Sequence, residues 1–339
     1  MDAPIRVGLI RCDTHGAYYA GLFADHDPLR LQRPLPPGDS GRDSWQTGGA
    51  HFYFYTNYAN PAAMTVERVD GFSLARVWDE HRDVAECLAS VCHGSPRVCD
   101  SPEEASDEVD LVFVADCNGD GSDHLALARP GLQKGVPTFV DKPLAFATED
   151  ALEIVQLAKG HAAPLCSISI LRVLPVAARF RGRLPEVGPL QFGTIQGGGT
   201  TLAGHIHAVS LAQLLFGGGV KVVRCMGETE LHTFHLDYGD RPDRPARGVT
   251  VSCDVGTPWH CAFHASAYGP GGAVHSPPMS DFDFPFGAAD ILRKVRGMVH
   301  ANASPPILRD AVEAVAIAET ARRAQASGAA EAVPELPPI

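Results

Sequence analysis

The run Val140-Asp141-Lys142-Pro143-Leu144-Ala145 places a lysine at the end of an apolar strand, where it can do acid–base chemistry. Pro143 keeps the backbone of Lys142 out of helical geometry. The amine is then presented at the carboxyl edge of a sheet, which in an open α/β sheet is where ligands bind. His124 stands one crossover helix earlier and Asn118 follows the preceding strand, so the three can line one crevice. The plainer alternative is a solvated lysine. A second chemical signal lies in the turn Gly8-Leu9-Ile10-Arg11-Cys12-Asp13-Thr14-His15-Gly16. A dinucleotide fold keeps glycines in this turn, so that backbone N–H groups and a helix N-terminus can meet a pyrophosphate. Fingerprint spacing asks for glycine at 11, 13 and 16, and the chain supplies Arg11, Asp13 and Gly16. Arg11 can contact phosphate, whereas Asp13 repels it unless its side chain caps the following helix. By itself the turn leaves nucleotide binding and an ordinary βα connection both open.

The elements that must position these residues read as alternating strands and helices in the first half. Residues 5–10, 111–115 and 138–140 are strand-like, and 123–134 has helical spacing stopped by Gly135. Thr148, followed by Glu149 and Asp150, looks like a helix N-cap, with Ala151, Ile154, Val155 and Ala158 on one face. Residues 28–49, rich in Pro, Gly, Asp and Arg, read as a long surface loop before an expected strand at 51–55. From Gly188 onward, strand-like runs at 190–196, 220–226, 249–253 and 260–268 surround one helix at about 205–216. A helix through Leu308, Val312 and Val315 stops near Gly328. The expected fold is α/β: a Rossmann-type parallel sheet domain over 1–145, then an α+β domain over 146–339 with a mostly antiparallel open sheet.

With 339 residues, two domains are the default. The formal charge of −12 argues against a nucleic-acid groove or an anionic membrane as the main partner. No run approaches a membrane span and the start lacks signal-peptide character, so a cytoplasmic location is expected. Nine cysteines at 12, 87, 92, 99, 117, 166, 225, 253 and 261 include no Cys-x-x-Cys pair, and most sit in apolar stretches as structural thiols. No metal site is expected. His205 and His207, two apart, face different sides of a helix, and His232 and His235 have ligand spacing only if helical, in a segment that reads as strand.

Taken with Asn118, His124 and the Asp141-Lys142-Pro143 run, the chain resembles the glucose-fructose oxidoreductase and myo-inositol dehydrogenase family, Gfo/Idh/MocA, with Asp141 in place of the family's Glu. A second matching block runs from Gly197 to Gly217 and resembles the family's glycine-led helix bearing Asp-x-x-x-His. The Asp-Thr-His turn resembles a divergent branch in which Asp and Thr displace the usual glycines. The resemblance spans nearly the whole chain, least convincingly across 28–100.

The resemblance implies an NAD(P)-dependent oxidoreductase acting on a secondary alcohol or ketone of a sugar-like or cyclitol-like molecule. It places Lys142 and His207 on catalytic positions, with His205 beside them toward the substrate. NAD or NADP would be held by Gly8, Arg11, Asp13, Thr14, His15, Gly16, Asn118, His124, Asp141, Lys142 and Pro143. Ala203 takes the place of the catalytic Asp and Ser210 that of a second acid. Those losses keep two alternatives open: a nucleotide-binding sensor or scaffold without turnover, and elimination or hydrolysis through transient oxidation by retained NAD. No acid or arginine follows the expected second strand, where Asn57 stands, so the sequence does not separate NAD from NADP. A homodimer or homotetramer is implied by family analogy.

Overall fold

Apolar residues that are buried on both faces build the first sheet. Val7, Leu9 and Ile10 are 0% exposed, as are all four residues of Leu111–Val114, which is the pattern of a parallel sheet covered on two sides. The computed structural model describes residues 3–32, 46–57, 59–117, 119–198, 202–227, 233–253 and 262–339. The chain begins β1 (Ile5–Ile10), α1 (Thr14–Phe23), α2 (Pro28–Leu31), α3 (Gln46–Phe54), β2 (Phe72–Trp78) and α4 (Arg82–Val91). It continues β3 (Arg97–Val98), α5 (Pro102–Ala105), β4 (Leu111–Val114), α6 (His124–Gln133), β5 (Thr138–Val140), α7 (Thr148–Gly160) and β6 (Leu165–Cys166). Then follow α8 (Pro175–Arg183), β7 (Phe192–Gly197), α9 (Leu202–Phe216), β8 (Val222–Met226), β9 (Thr233–Asp237), β10 (Val249–Ser252) and β11 (Ala262–Gly269). The last elements are β12 (Gly272–His275), β13 (Met279–Ser280), α10 (Phe284–Ala301), α11 (Leu308–Ser327) and β14 (Glu331–Ala332).

Six strands pair in the order β3-β2-β1-β4-β5-β6, all parallel. The order reverses between β1 and β4, so the loops leaving these strands part at the carboxyl edge and open a crevice. Two glycines allow the close packing beneath it: a Cβ on Gly8 would lie 2.0 Å from the Ala105 carbonyl oxygen, and one on Gly131 2.8 Å from Val112. Phe113 and Phe139 stack at 4.3 Å in the core, with Tyr19 of α1 against Phe113 at 4.7 Å. The second sheet has the order β12-β11-β7-β10-β9-β8-β14, with β13 on β11. Among the described residues only its β7–β10 pairing is parallel. Its core includes Phe234, Leu236, Val249, Val251 and Phe263, together with Val209, Ala212 and Phe216 of α9 and Ile317 and Ala321 of α11. This is the expected α/β class. One compact unit contains 1–141, 153–167 and 288–306, and the other 142–152, 168–287 and 307–339.

One element differs in kind from the expectation. Residues 51–55 lie in and just beyond a helix, α3, and the second strand of the sheet is Phe72–Trp78. The aromatic run there suggested β propensity, but Ala50 and Phe54, four apart, are both 0% exposed and so share a buried helical face. Phe54 packs on Tyr18 at 4.5 Å, and this tertiary contact overrides the propensity. Residues 28–31, expected in a loop, form α2, capped by Asp27. Residues 33–45 of the expected loop lie outside the described residues. Gly328 closes α11 in the left-handed conformation (φ 66°), as its position predicts.

Candidate functional site

Asp13 is the N-cap of α1. Its Oδ1 accepts the backbone N–H of His15 at 2.9 Å and of Gly16 at 3.1 Å, and its Oδ2 accepts that of Cys117 at 2.6 Å. The carboxylate therefore binds the helix-terminal amides that a dinucleotide fold offers to a phosphate. Burial raises its pKa, and the neighbouring Asp116 adds to this. Arg11, in the slot of the first fingerprint glycine, takes the left-handed backbone conformation at φ 72°. Its guanidinium is only slightly exposed and bridges Glu80, at 2.5 Å, and Asp123. Burial opposes the charge of Arg11, but Asp123 and Glu80 outweigh it and raise the pKa. Gly16 keeps the third glycine's role: a Cβ there would lie 2.4 Å from the Arg11 carbonyl oxygen.

Asp79 immediately follows β2 and is 3% exposed. Its Oδ2 accepts the N–H of Cys12 at 2.8 Å and its Oδ1 that of His81 at 3.0 Å, which ties the end of β2 to the turn after β1. An acid does follow the second strand, so the expectation that none does, with Asn57 in its place, is corrected. The misplaced strand had concealed it.

Beyond β4, Asp116 accepts from Gly119 N at 2.7 Å and lies 3.2 Å from His124 Nε2. His124 is fully buried; burial opposes its protonation, but the Asp116 carboxylate prevails and raises the pKa. Asp116, Asp123 and His124 each bring one potential ligand atom to within 4.8 Å of the others. Within that trio Asp123 is paired with Arg11 and Asp116 with His124. Asp141, just past β5, accepts from the Asp116 amide at 3.3 Å and holds His15 Nδ1 at 2.5 Å. Burial works against the His15 charge, yet Cys117 and Asp141 together raise its pKa well above the ordinary imidazole value. The parallel sheet thus gathers Arg11, Asp13, His15, Gly16, His124 and Asp141 at one edge, with Gly8 buried within β1 and Thr14 opening α1. Asn118 lies outside the described residues.

In the second unit Lys142 is 5% exposed and is joined to Pro143 by a cis peptide. A solvated surface lysine is therefore not what the structure contains. His207, on α9, is 7% exposed, and its ring packs edge-on to Phe263 at 6.1 Å and roughly parallel to Phe284 at 6.4 Å. Its Nδ1 lies 2.7 Å from Ser169 Oγ, which also accepts the N–H of Leu171 at 3.3 Å. Ser169 was not visible as a site residue in the sequence, because 38 positions separate it from His207. His205 is fully buried, and since α9 begins at Leu202 the two histidines are on different faces of a regular helix. Ser210 gives its carbonyl oxygen to Arg172 at 3.2 Å, and Arg172 also binds Asp310 at 2.6 Å. Burial lowers the Arg172 pKa, with Asp310 acting against it. Glu313 accepts from Gly219 N at 2.5 Å, Val220 N at 3.1 Å and Gln213 Nε2 at 3.3 Å, which fixes the glycine-rich turn after α9. His235 lies in strand β9, as the sequence suggested, and His232 is outside the described residues.

The sheet order and the turn at its switch point define an α/β protein with a Rossmann-type parallel sheet. Residues 50–168, about a third of the chain, match the model of the Gfo/Idh/MocA family, described as an oxidoreductase family with an NAD-binding Rossmann fold. The family resemblance read from the sequence is supported over that stretch. Structural likeness extends further. GenD2 from gentamicin A biosynthesis, crystallised with NAD, superposes with a TM-score of 0.72 at 17% identity, over 99% of this chain and 98% of that one. A putative myo-inositol dehydrogenase from Sinorhizobium meliloti gives 0.69 at 16% identity, over 97% and 100%. A scyllo-inositol dehydrogenase from Lactobacillus casei, with NAD(H) and scyllo-inositol bound, gives 0.69 at 11% identity, over 97% and 99%. At such identities the likeness is one of fold. No curated protein sequence matches the chain. Among the described residues no helix is long and apolar enough to cross a membrane.

Proposed function

We propose that the protein is an NAD-dependent oxidoreductase that interconverts a secondary alcohol and a ketone on a small sugar-like or cyclitol-like molecule. The observation that carries this reading is Asp79, buried at the carboxyl end of β2 and bonded to the turn after β1. A dinucleotide fold uses an acid at this place for the adenosine ribose. With Glu80 beside it, the 2′-phosphate of NADP is repelled, so NAD is favoured. Gly16 preserves the tight helix entry, and Arg11 supplies a guanidinium at the turn. One residue suits a dinucleotide poorly: Asp13 already occupies the α1 amides.

The bound nicotinamide supplies the hydride acceptor. The chain itself moves the proton. Lys142 and His207, both nearly excluded from water, are the acid–base groups in this reading. Ser169 Oγ has two acceptor lone pairs, one for Leu171 N–H and one for a proton on His207 Nδ1. With that proton held on Nδ1, Nε2 is the nitrogen able to take up a substrate proton. Ser169 then orients the imidazole where the family's Asp is replaced by Ala203. A homodimer or homotetramer completes the proposal. Along β11, buried Phe263, Ala265 and Ala267 alternate with outward-facing His264, Ser266 and Tyr268, the kind of open sheet face that a second copy covers.

Mass analysis of small molecules released from the purified protein, joined to a turnover screen of cyclitols and sugars with NAD and NADP, tests the proposal. Exchangeable NAD with turnover supports it. Asp13 and Ala203 favour a second reading, a nucleotide-binding sensor without turnover, which bound nucleotide and an inert screen would establish. NAD retained at one per chain, with net elimination or hydrolysis, would point to transient oxidation. Absence of both nucleotide binding and turnover would overturn every one of these readings.

A further inference from the structure

The three-glycine turn between α9 and β8 is shaped around charged side chains. A Cβ on Gly217 would lie 2.5 Å from Arg244 Cζ, one on Gly218 2.4 Å from Glu313 Oε2 and one on Gly219 2.2 Å from Arg241 Nη1. Gly217 and Gly219 also have positive φ, 87° and 92°, so glycine is needed there for the backbone as well as for room. Arg244 Nε donates to the Gly218 carbonyl oxygen at 2.8 Å, and Glu313 accepts from Gly219 N and Val220 N, which fixes both side chains to the turn. A cavity of about 420 Å³ opens at this turn, lined wholly by the second unit. Its other walls are the β9–β10 connection, the first turn of α11 and the tail after β14. Lys221, Arg241, Arg244 and Arg309 line it as cations. Of the acids in its wall, Asp310 is held by Arg172 and Glu313 by the turn amides, which leaves Glu335. Arg241 and Arg244 share Asp243, at 2.9 and 2.7 Å. Lys221 and Arg309 are exposed, and among the described residues their side chains have no partner. The 20-residue α11 adds to the attraction for an anion, since its N-cap, Ile307, offers no side-chain acceptor to the helix start.

We infer that this cavity binds a small phosphorylated sugar or polyol, its phosphate held by Lys221, Arg241, Arg244 and Arg309 and its hydroxyls by Asp310 and Glu335. Four cations converge here in a chain whose formal charge is −12, so the attraction is local and not a property of the whole surface. A guanidinium presents a planar fork of N–H donors that matches two phosphate oxygens at once, and two such groups are already seated against the glycine turn. A carboxylate can only accept, so Asp310 and Glu335 suit hydroxyl donors. The same two acids repel a ligand that is anionic throughout, such as citrate, whereas one phosphate joined to several hydroxyls meets charge of both signs in the right sense. The volume lies in the range of small-molecule sites. None of these residues belongs to the parallel-sheet unit, and the inference stands whether or not that sheet binds NAD.

The test is isothermal titration calorimetry on the full chain, with glucose 6-phosphate, glucose, inorganic phosphate and citrate as probes and the shift of the melting transition as a second readout. Glucose 6-phosphate should bind once per chain, and each of the other three at least about tenfold more weakly. Added salt should weaken the binding, because two of the four cations are exposed. Lys221→Gln combined with Arg309→Gln removes two side chains that bond to nothing in the fold. The melting transition of this double variant should be unchanged without ligand, and its affinity for glucose 6-phosphate should fall roughly tenfold or more. Failure of glucose 6-phosphate to bind by either readout would overturn the inference. So would glucose, phosphate or citrate binding as tightly as glucose 6-phosphate, a comparison made on the unaltered chain that holds whatever the variant does. Unchanged affinity in the folded double variant would overturn it as well, by placing the phosphate elsewhere.

Discussion

Replacing Asp13 separates what this residue does for the fold from what it does to a dinucleotide. In Asp13→Ala three backbone N–H groups lose their acceptor. The lost helix cap is worth about 1 kcal/mol, and the Cys117 amide, left without a partner in a half-buried place, adds roughly 1–3 kcal/mol. Against this, the variant no longer buries a carboxylate whose pKa burial has raised, and the net loss should be about 2 kcal/mol. In a chain of 339 residues that lowers Tm by about 3 °C. Asp13→Asn keeps an acceptor for the α1 amides and removes only the charge. A unit charge near a pyrophosphate at an effective dielectric of about 20 is worth a few kcal/mol at contact. NAD should then bind Asp13→Asn at least about tenfold more tightly in isothermal titration calorimetry, since about 1.4 kcal/mol is a factor of ten. The sign of the pH effect follows from the raised folded pKa. The folded state binds the extra proton between the unfolded carboxyl value and the folded one, so this group's stabilisation is present at low pH and is lost as pH rises through the folded pKa. Affinity of the unaltered protein for NAD should fall over the same rise, and Asp13→Asn should abolish that slope. Equal stability for Asp13→Ala, or NAD affinity in Asp13→Asn no better than in the unaltered chain, would refute the reasoning.

His15 has a raised folded pKa, so its protonated form stabilises the fold below about pH 6.5, and this contribution is lost as pH rises through the higher folded value. Melting curves from pH 6 to 9 should show the decline, and His15→Gln should flatten it. Glu313→Ala strips the acceptor from Gly219 N, Val220 N and Gln213 Nε2 and should destabilise the protein by about 3 kcal/mol in urea titration. Lys142→Met should leave NAD affinity within a few-fold by calorimetry while turnover falls by roughly 10²-fold or more. His207→Ala should lower kcat/KM by roughly 10²–10⁴. Ala203→Asp should raise activity toward polyols if the chain is a dehydrogenase that lost an orienting acid; steady-state assays of both variants decide this.

Much of the architecture was legible because its signals are local. Fully apolar strands, the Gly135 and Gly328 stops and the Thr148 helix start are each written within a few residues of where they act. The second strand was not, because an aromatic run at 52–55 has strand-like composition and turns helical only through the contact of Phe54 with Tyr18. That single misplacement also hid Asp79, whose meaning depends on which strand it follows. The capping role of Asp13 was readable as one of two options. Its third bond, to the Cys117 amide, was not, since those residues stand 104 positions apart. The same holds for Ser169 beside His207, which stand 38 positions apart, while His205, two residues from His207, lies on another face of the helix.

Arg11 makes the altered turn hard to undo by single steps. A glycine there would relieve a left-handed backbone that costs an ordinary residue roughly 1–2 kcal/mol. It would also leave Glu80 and Asp123, which now share one guanidinium, with no cation between them. Losing either acid first strands a largely buried arginine with one partner fewer. Arg11→Gly therefore trades relief of the backbone for the loss of both pairings, and only a change at two or three positions together avoids leaving a charge behind. The turn is entrenched by its neighbours, and a lineage that acquired this trio would be expected to diversify around it rather than to revert.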